Sequence, residues 1–139
     1  MATSGSVILL AAAYAFQHLG GLAPCALCLW QRWPHGVAIL IGIAFLFLIP
    51  ARFLNALGCL AALSTAGIGL YHTGVERKWW QGPSTCSGAS DIGTLSPKEL
   101  LDQIMTAPIV RCDEVPWQML GLSMARWNML ASLALACLW

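Results

Sequence analysis

The chain has 139 residues, of which 58% are hydrophobic and only 9% are charged, and its net charge at neutral pH is +1. A soluble domain usually has about 25% charged residues, so this composition excludes an ordinary water-exposed globular surface. The sequence also has no basic face of the kind that a nucleic-acid partner requires.

The charged residues are concentrated in one part of the chain, and this predicts its topology. Of the seven basic and six acidic residues, only Arg32, Arg52 and Arg126 lie outside residues 76–114. An α-helix needs roughly 20 residues to cross about 30 Å of hydrocarbon. The apolar blocks predict four such spans, at about residues 6–22, 30–49, 53–71 and 120–139.

The predicted fold is therefore an all-α membrane protein with a single domain over residues 1–139. It is an antiparallel bundle of four transmembrane helices, in which residues 72–119 form one long external loop. The first apolar block has no positively charged segment before it, so we interpret it as a retained span and not as a signal peptide.

Cys25 and Cys28 form a C-x-x-C pair where the first external turn meets the second span. At a helix start, the free N–H groups and the helix dipole stabilise a thiolate, so this position predicts a redox-active dithiol. No second C-x-x-C pair and no H-x₃₋₅-H motif follows to complete a zinc site. Leu29 stands where a c-type haem would need histidine. The sequence therefore predicts no metal.

Arg32 and His72 are the candidate cofactor-binding side chains. Arg32 lies one helical turn after Cys28 on the same face. There its charge could stabilise a thiolate or a reduced carrier, or it could simply extend to the membrane surface. His72 ends the third span on the same side, where it could donate to a carrier carbonyl or only cap the helix. His18 and His35 are assigned structural roles.

A membrane quinone is the predicted electron acceptor. The sequence has no G-x-G-x-x-G motif and no cluster ligands, which disfavours a nicotinamide, flavin or iron–sulfur acceptor. A quinone is already dissolved in the bilayer and needs only an apolar groove with a nearby cation or hydrogen-bond donor. The sequence does not distinguish ubiquinone from menaquinone.

Cys86 and Cys112 form a second candidate pair, in the external loop. Their polar neighbours predict sulfur atoms that a partner thiolate can reach, which thiol–disulfide exchange requires. A static disulfide that only closes the loop is the alternative. Because both pairs lie on one side of the membrane, they can exchange with each other, and that side is predicted to be the oxidising periplasm. Cys59 and Cys137 lie inside spans and are interpreted as apolar packing.

One helix is predicted inside the external loop. Residues 96–99 fit a capping box with proline at the first helical position. Leu100, Leu101, Ile104 and Met105 then share one face. This pattern predicts a short amphipathic helix that lies on the membrane surface or packs on the bundle.

Several stretches together resemble DsbB, the disulfide bond formation protein B family. Residues 25–32, CALCLWQR, resemble its C-x-L-C-x-x-Q-R signature. Residues 71–76, YHTGVE, with the two tryptophans and the cysteine that follow, resemble its third-span exit. Residues 111–113, RCD, and 122–128, LSMARWN, resemble its second loop cysteine and the start of its fourth span. The resemblance covers about residues 17–130.

The resemblance implies a quinone-dependent protein-disulfide oxidoreductase of the bacterial inner membrane. Cys86 would exchange with the periplasmic oxidase DsbA through a mixed disulfide, with Cys112 as its intramolecular partner. Electrons would pass to Cys25 and Cys28, and Cys28 would face the quinone as a thiolate assisted by Arg32. The implied partners are a DsbA-like oxidase, membrane lipid and the quinone pool.

The resemblance also implies that His72 corresponds to a family histidine near the quinone. Two other interpretations of the function of the chain stay open. A vitamin K epoxide reductase-like enzyme also combines four helices, two thiol pairs and a quinone, but its loop pair precedes its C-x-x-C motif. A non-catalytic membrane scaffold with one structural disulfide would leave Cys25 and Cys28 unreactive.

Overall fold

A computed structural model of the chain describes residues 1–47, 52–83, 86, 96–106 and 110–139. Within these residues the protein is mostly helical. The elements in chain order are α1 (Ala2–His18), α2 (Ala26–Phe47), α3 (Arg52–Glu76), α4 (Pro97–Thr106), β1 (Gln118–Met119), β2 (Leu122–Ser123) and α5 (Met124–Leu138).

The long helices pack side by side, with α3 against both α2 and α5, and α1 against α2 and α5. Small residues on α3 allow α5 to approach closely. A Cβ atom at Gly69 would lie 3.2 Å from the carbonyl oxygen of Ala125 and from Cβ of Met129, and one at Gly58 would meet the ring of Trp139. Such small-residue contacts are typical of helices that associate in lipid.

The outer surface of the helices is apolar. Ile8, Leu40 and Phe53, on three different helices, are 66%, 67% and 70% exposed. Among the described residues, α3 is long and apolar enough to cross a membrane, and α5 is a shorter apolar helix. The four-span topology stays a prediction.

Several helix ends differ from the predicted spans: α1 and α2 each start four residues earlier, at Ala2 and Ala26, and α3 continues to Glu76, five residues into the predicted loop. Backbone turns account for two further differences. α1 ends at His18, before Gly21, whose φ of +65° cannot continue a helix. α5 starts at Met124 and not near residue 120, because Leu120 and Gly121, with φ of +54° and +75°, form the turn of a short hairpin. Two central residues with positive φ suit a tight hairpin. Ser123 then caps α5 by accepting from the N–H of Arg126.

The capping box before α4 is confirmed. The N–H of Ser96 donates to the Glu99 carboxylate at 2.9 Å, and the N–H of Glu99 donates to the Ser96 hydroxyl at 3.4 Å. Leu101 and Met105 on the predicted apolar face are 61% and 78% exposed. The side chains of Leu100 and Ile104, the other two residues of this face, lie outside the described residues. That α4 lies on the membrane surface stays a prediction.

Candidate redox site

The two cysteine pairs share one buried cluster at the end of the bundle where α2 begins and α3 ends. Cys25 is 5% exposed, and both Cys86 and Cys112 are fully buried. Leu27 and Val75 pack among these sulfur atoms. Cys86 and Cys112 form a disulfide with a Cα–Cα distance of 5.0 Å. The structure therefore brings together two pairs that are far apart in the sequence.

The expectation that a partner thiolate could directly reach Cys86 and Cys112 is wrong for this conformation. Both residues have zero exposed surface, because the apolar side chains of Leu27 and Val75 cover them. The N–H of Cys112 also donates to the carbonyl of Cys86 at 2.9 Å, which joins the two ends of the loop. Of the polar neighbours on which the expectation depended, those at positions 84, 85, 87 and 88 lie outside the described residues, whereas Asp113 and Glu114 are described and pair with Arg111.

Cys25 and Cys28 are unbonded thiols whose sulfur atoms lie 2.9 Å apart. Cys25 immediately precedes α2 and Cys28 lies in its first turn, as the sequence predicted. The Cys25 thiol donates to the sulfur of Cys28, and the N–H of Cys28 donates to the sulfur of Cys25 at 3.3 Å. The hydrogen bond to Cys28, together with burial, raises the pKa of Cys25. Cys25 therefore keeps its proton, and Cys28 is the sulfur that more readily becomes a thiolate.

His72 lies beside Cys25, in the last turns of α3. Its Nε2 is 3.6 Å from the sulfur of Cys25 and 4.0 Å from a carboxylate oxygen of Glu76. Its Nδ1 accepts a 2.9 Å hydrogen bond from the side-chain amide of Gln31. Nδ1 is thus an acceptor, and the proton of the neutral ring lies on Nε2, which faces the sulfur.

Glu76 is a member of the site that the sequence analysis missed. Its carboxylate accepts a 2.5 Å hydrogen bond from the hydroxyl of Ser123, which lies at the start of α5. Its spacing from His72 could have indicated this position. Glu76 follows His72 by four residues, so both lie on the same face of the helix.

A buried polar network behind His72 was also missed. Asn128 donates to Oε1 of Gln31 at 2.6 Å and to the hydroxyl of Thr65 at 3.1 Å. Nε2 of His35 pairs with Oδ1 of Asn128 at 3.0 Å, so His35 has a specific partner on another helix. Polar side chains on otherwise apolar helices were the available signal, since such groups pair inside membrane bundles.

Arg32 is held against α1. Its guanidinium donates to Oε1 of Gln17 at 2.6 Å and to the carbonyl of Ala13 at 3.4 Å. It also lies 4.7 Å above the ring centre of Tyr14, a cation–π distance. These contacts fix the position of the guanidinium against α1.

A cavity lies between α1, α2 and α5. Its volume of about 340 Å³ is within the usual size range of ligand pockets. Its wall is mainly apolar. The side chains of Cys28, Arg32 and His72 border it, and so do those of Gln31 and Asn128. The wall also contains Phe16, Pro24, Pro116, Trp117 and Trp127. The cavity therefore suits an apolar ligand with a polar group that lies next to a thiol and a cation.

Comparison with known proteins shows the family of this chain. Residues 1–139 match the family model described as disulfide bond formation protein DsbB. A disulfide bond formation protein B from Pasteurella multocida is 34% identical over 132 residues, covering 89% of this chain and 71% of the relative. Namesakes from Shewanella sp. strain ANA-3 and Stutzerimonas stutzeri are 32% and 30% identical, covering 93% and 97% of this chain and 75% and 87% of theirs. No solved structure gives a significant match.

Proposed function

Because this chain belongs to the DsbB family, we propose that Cys25, Cys28, Cys86 and Cys112 carry electrons from a periplasmic DsbA-like oxidase to a membrane quinone. The chain is a membrane thiol oxidase of disulfide bond formation that reoxidises DsbA. The quinone, the compartment and the residue roles are the proposal. One observation carries it: the sulfur cluster has a disulfide on its loop side and borders an apolar cavity at Cys28.

The first step is exchange at the Cys86–Cys112 disulfide. A thiolate of the reduced oxidase attacks one sulfur, the disulfide opens, and a mixed disulfide forms. The second thiol of the oxidase then attacks the mixed disulfide and releases the loop cysteine. The oxidase therefore leaves with its own disulfide, and Cys86 and Cys112 are left as a dithiol. Because both sulfur atoms are buried, the segment that contains them must first open locally.

The second step moves the electrons inward, from the loop dithiol to an oxidised Cys25–Cys28 pair. The products are a Cys86–Cys112 disulfide and two thiols at Cys25 and Cys28. This is the redox state of the structure. The shared packing of the two pairs around Leu27 and Val75 supports direct exchange between them.

The third step returns Cys25 and Cys28 to a disulfide. A bound quinone supplies a two-electron, two-proton acceptor. Cys28 borders the cavity, and its position in the first turn of α2 favours the thiolate that must react. Arg32, held by Gln17 and Ala13, presents a fixed positive charge where negative charge develops. His72 donates from Nε2 toward Cys25, which stabilises that sulfur while its proton leaves.

The proposed setting is the bacterial inner membrane, crossed by four helices, with both cysteine pairs at the periplasmic end. The apolar, lipid-compatible outer surface supports a membrane location. Exchange of disulfides with a protein partner supports an oxidising compartment on the side where the two pairs lie.

The test is a quinone-reduction assay with the full chain in lipid nanodiscs, a reduced DsbA-like oxidase and either a ubiquinone or a menaquinone analogue. We expect stoichiometric loss of oxidised quinone, and no loss after Cys28→Ser. The Cys59→Ser variant is the matched control and should keep full turnover. Normal turnover by Cys28→Ser would refute the proposed route, and thiol trapping that finds Cys25 and Cys28 inert would favour a scaffold.

A further inference from the structure

We propose that the reduced chain binds one thiophilic divalent metal ion, such as Zn²⁺, through Cys25, Cys28, His72 and Glu76. The donor atoms of the two cysteines and the histidine lie within 4.8 Å of one another. This goes beyond the proposed electron transfer, in which the thiols act only as carriers. The sequence predicted no metal because the third and fourth donors come from another helix, where no local motif reveals them.

One of the distances between donors already suits tetrahedral zinc. With Zn–S of about 2.3 Å and Zn–N of about 2.0 Å, a sulfur and a nitrogen ligand lie roughly 3.6 Å apart. The sulfur of Cys25 and Nε2 of His72 are 3.6 Å apart. Two sulfur ligands would lie roughly 3.8 Å apart, whereas those of Cys25 and Cys28 are 2.9 Å apart. Binding therefore needs the two thiols to separate by about an ångström, through a change in side-chain torsion.

Glu76 offers the fourth donor. One of its carboxylate oxygens lies 4.0 Å from Nε2 of His72. The carboxylate is not among the donor atoms that lie within 4.8 Å of one another, so it must move toward the sulfur atoms when the ion binds. The other oxygen accepts from the hydroxyl of Ser123, which orients the carboxylate as outer-shell partners of metal ligands usually do. Two sulfurs, one imidazole nitrogen and one carboxylate oxygen make a complete four-coordinate set.

A small cavity already lies between these donors. Its volume is about 30 Å³, and Cys25, Cys28, His72 and Glu76 all border it. This exceeds the roughly 10–15 Å³ that one water molecule occupies by the same kind of measure, so an ion fits. Arg111 and Glu114 border the cavity from the loop side.

The hydrogen-bond network behind His72 can adapt to the metal. A metal on Nε2 requires the proton on Nδ1, and this proton then needs an acceptor. The side-chain amide of Gln31 lies 2.9 Å from Nδ1. The NH₂ group and the oxygen of a side-chain amide are similar in size. A flip of the Gln31 amide exchanges their positions, so that its oxygen can accept from Nδ1. Asn128, which donates to Gln31, would turn with it.

The site exists in only one redox state. Binding releases the protons of Cys25 and Cys28 to solvent and forms two metal–sulfur bonds, with no change in oxidation state. Formation of the Cys25–Cys28 disulfide removes both sulfur donors, so the oxidised chain lacks the site. Conversely, bound metal occupies the thiolates and stops their oxidation, which makes the site inhibitory.

The experiment titrates the reduced full chain, in nanodiscs without quinone or oxidase, with Co²⁺ and then displaces Co²⁺ with Zn²⁺. We expect one equivalent of Co²⁺ to give thiolate-to-metal charge-transfer absorption and the intense visible bands of tetrahedral cobalt. Chain oxidised at Cys25–Cys28 should give neither. Because no turnover is measured, this result is independent of the proposed function.

Matched variants separate the site from a simple dithiol chelate. Cys25→Ser and Cys28→Ser should lose the charge-transfer bands, whereas Cys59→Ser and Cys137→Ser should keep them. His72→Asn and Glu76→Gln should each weaken binding at least about tenfold, as loss of even an outer-shell partner does. Unchanged affinity in His72→Asn would overturn the proposal.

X-ray absorption of the zinc-loaded wild-type chain gives a second measurement that does not depend on a variant folding. Two sulfur and two nitrogen or oxygen neighbours are expected. A shell of four sulfurs, or of nitrogen and oxygen only, would overturn the proposal, as would the absence of cobalt bands from the reduced wild type.

Discussion

Asn128 in α5 donates a 2.6 Å hydrogen bond to the side-chain oxygen of Gln31 in α2, and Gln31 in turn donates to Nδ1 of His72 in α3. Three helices therefore meet through one polar chain that ends 3.6 Å from the sulfur of Cys25. Replacing Asn128 with leucine should lower the free energy of unfolding by about 1–2 kcal/mol, because it leaves Gln31 and Thr65 short of a partner. Thermal unfolding in nanodiscs measures the loss. The exposed Asn55→Leu variant is the control, and equal stability of the two variants would contradict a structural role for the network.

Arg32 should determine how well the quinone binds. Its charge borders the cavity next to Cys28 and is held by Gln17. Because a charge-assisted hydrogen bond contributes about 1.5–3 kcal/mol, Arg32→Gln should raise the KM for quinone roughly 10-fold to 100-fold. Steady-state kinetics of quinone reduction measure this KM. Arg52→Gln, at the exposed start of α3, should leave the KM unchanged, and a similar rise in that variant would assign the effect to general surface charge.

The Cys86–Cys112 disulfide should stabilise the fold as well as exchange. It closes a loop across a sequence separation of 26. In the chain-entropy model such a loop adds about 3–4 kcal/mol, so Cys112→Ser should lower the unfolding temperature markedly and abolish turnover. Differential scanning fluorimetry and the quinone assay report the two effects. Cys137→Ser, on an exposed position of α5, should change neither.

Val75 should control access to the buried disulfide. Its side chain is 1% exposed and packs with Cys86 and Cys112. Val75→Ala removes two methyl groups, worth about 1.5 kcal/mol of apolar burial. Local opening should then be easier, and dithiothreitol should reduce the disulfide about tenfold faster. The exposed Leu70→Ala variant should not change the rate. Equal rates in wild type and Val75→Ala would show that opening does not limit exchange.

The start of α4 should depend on pH through Glu99. Hydrogen bonds from the hydroxyl and N–H of Ser96 hold the pKa of Glu99 below its usual value. Because the folded-state pKa is depressed, this contribution is fully present above the unfolded pKa and is lost as pH falls through the lowered value. Amide hydrogen exchange at the first turn of α4 should therefore accelerate under acid. Glu99→Gln should remove that pH dependence, and its persistence would assign the effect to another group.

The hydropathy pattern and short motifs were enough to predict the helices, the C-x-x-C pair at the start of α2 and the capping box at Ser96. These features are local. A helix start, a cap and a side chain one turn further along are all determined within about four residues of the chain. For the same reason the sequence placed Arg32 on the face of Cys28, and both border one cavity in the structure.

Contacts between helices could not be predicted this way. Gln31 and Asn128 are separated by 97 positions, and His72 by 47 positions from Cys25. Which faces meet depends on how closely small residues such as Gly69 allow α3 and α5 to approach. Likewise, polar neighbours in the sequence suggested an accessible Cys86, but packing against Val75 buries it. The sequence by itself identified the four cysteines, Arg32 and His72 as the candidates for the chemistry. Only the tertiary structure decided which of them touch, because burial and contact are properties of the packed bundle and not of any single segment.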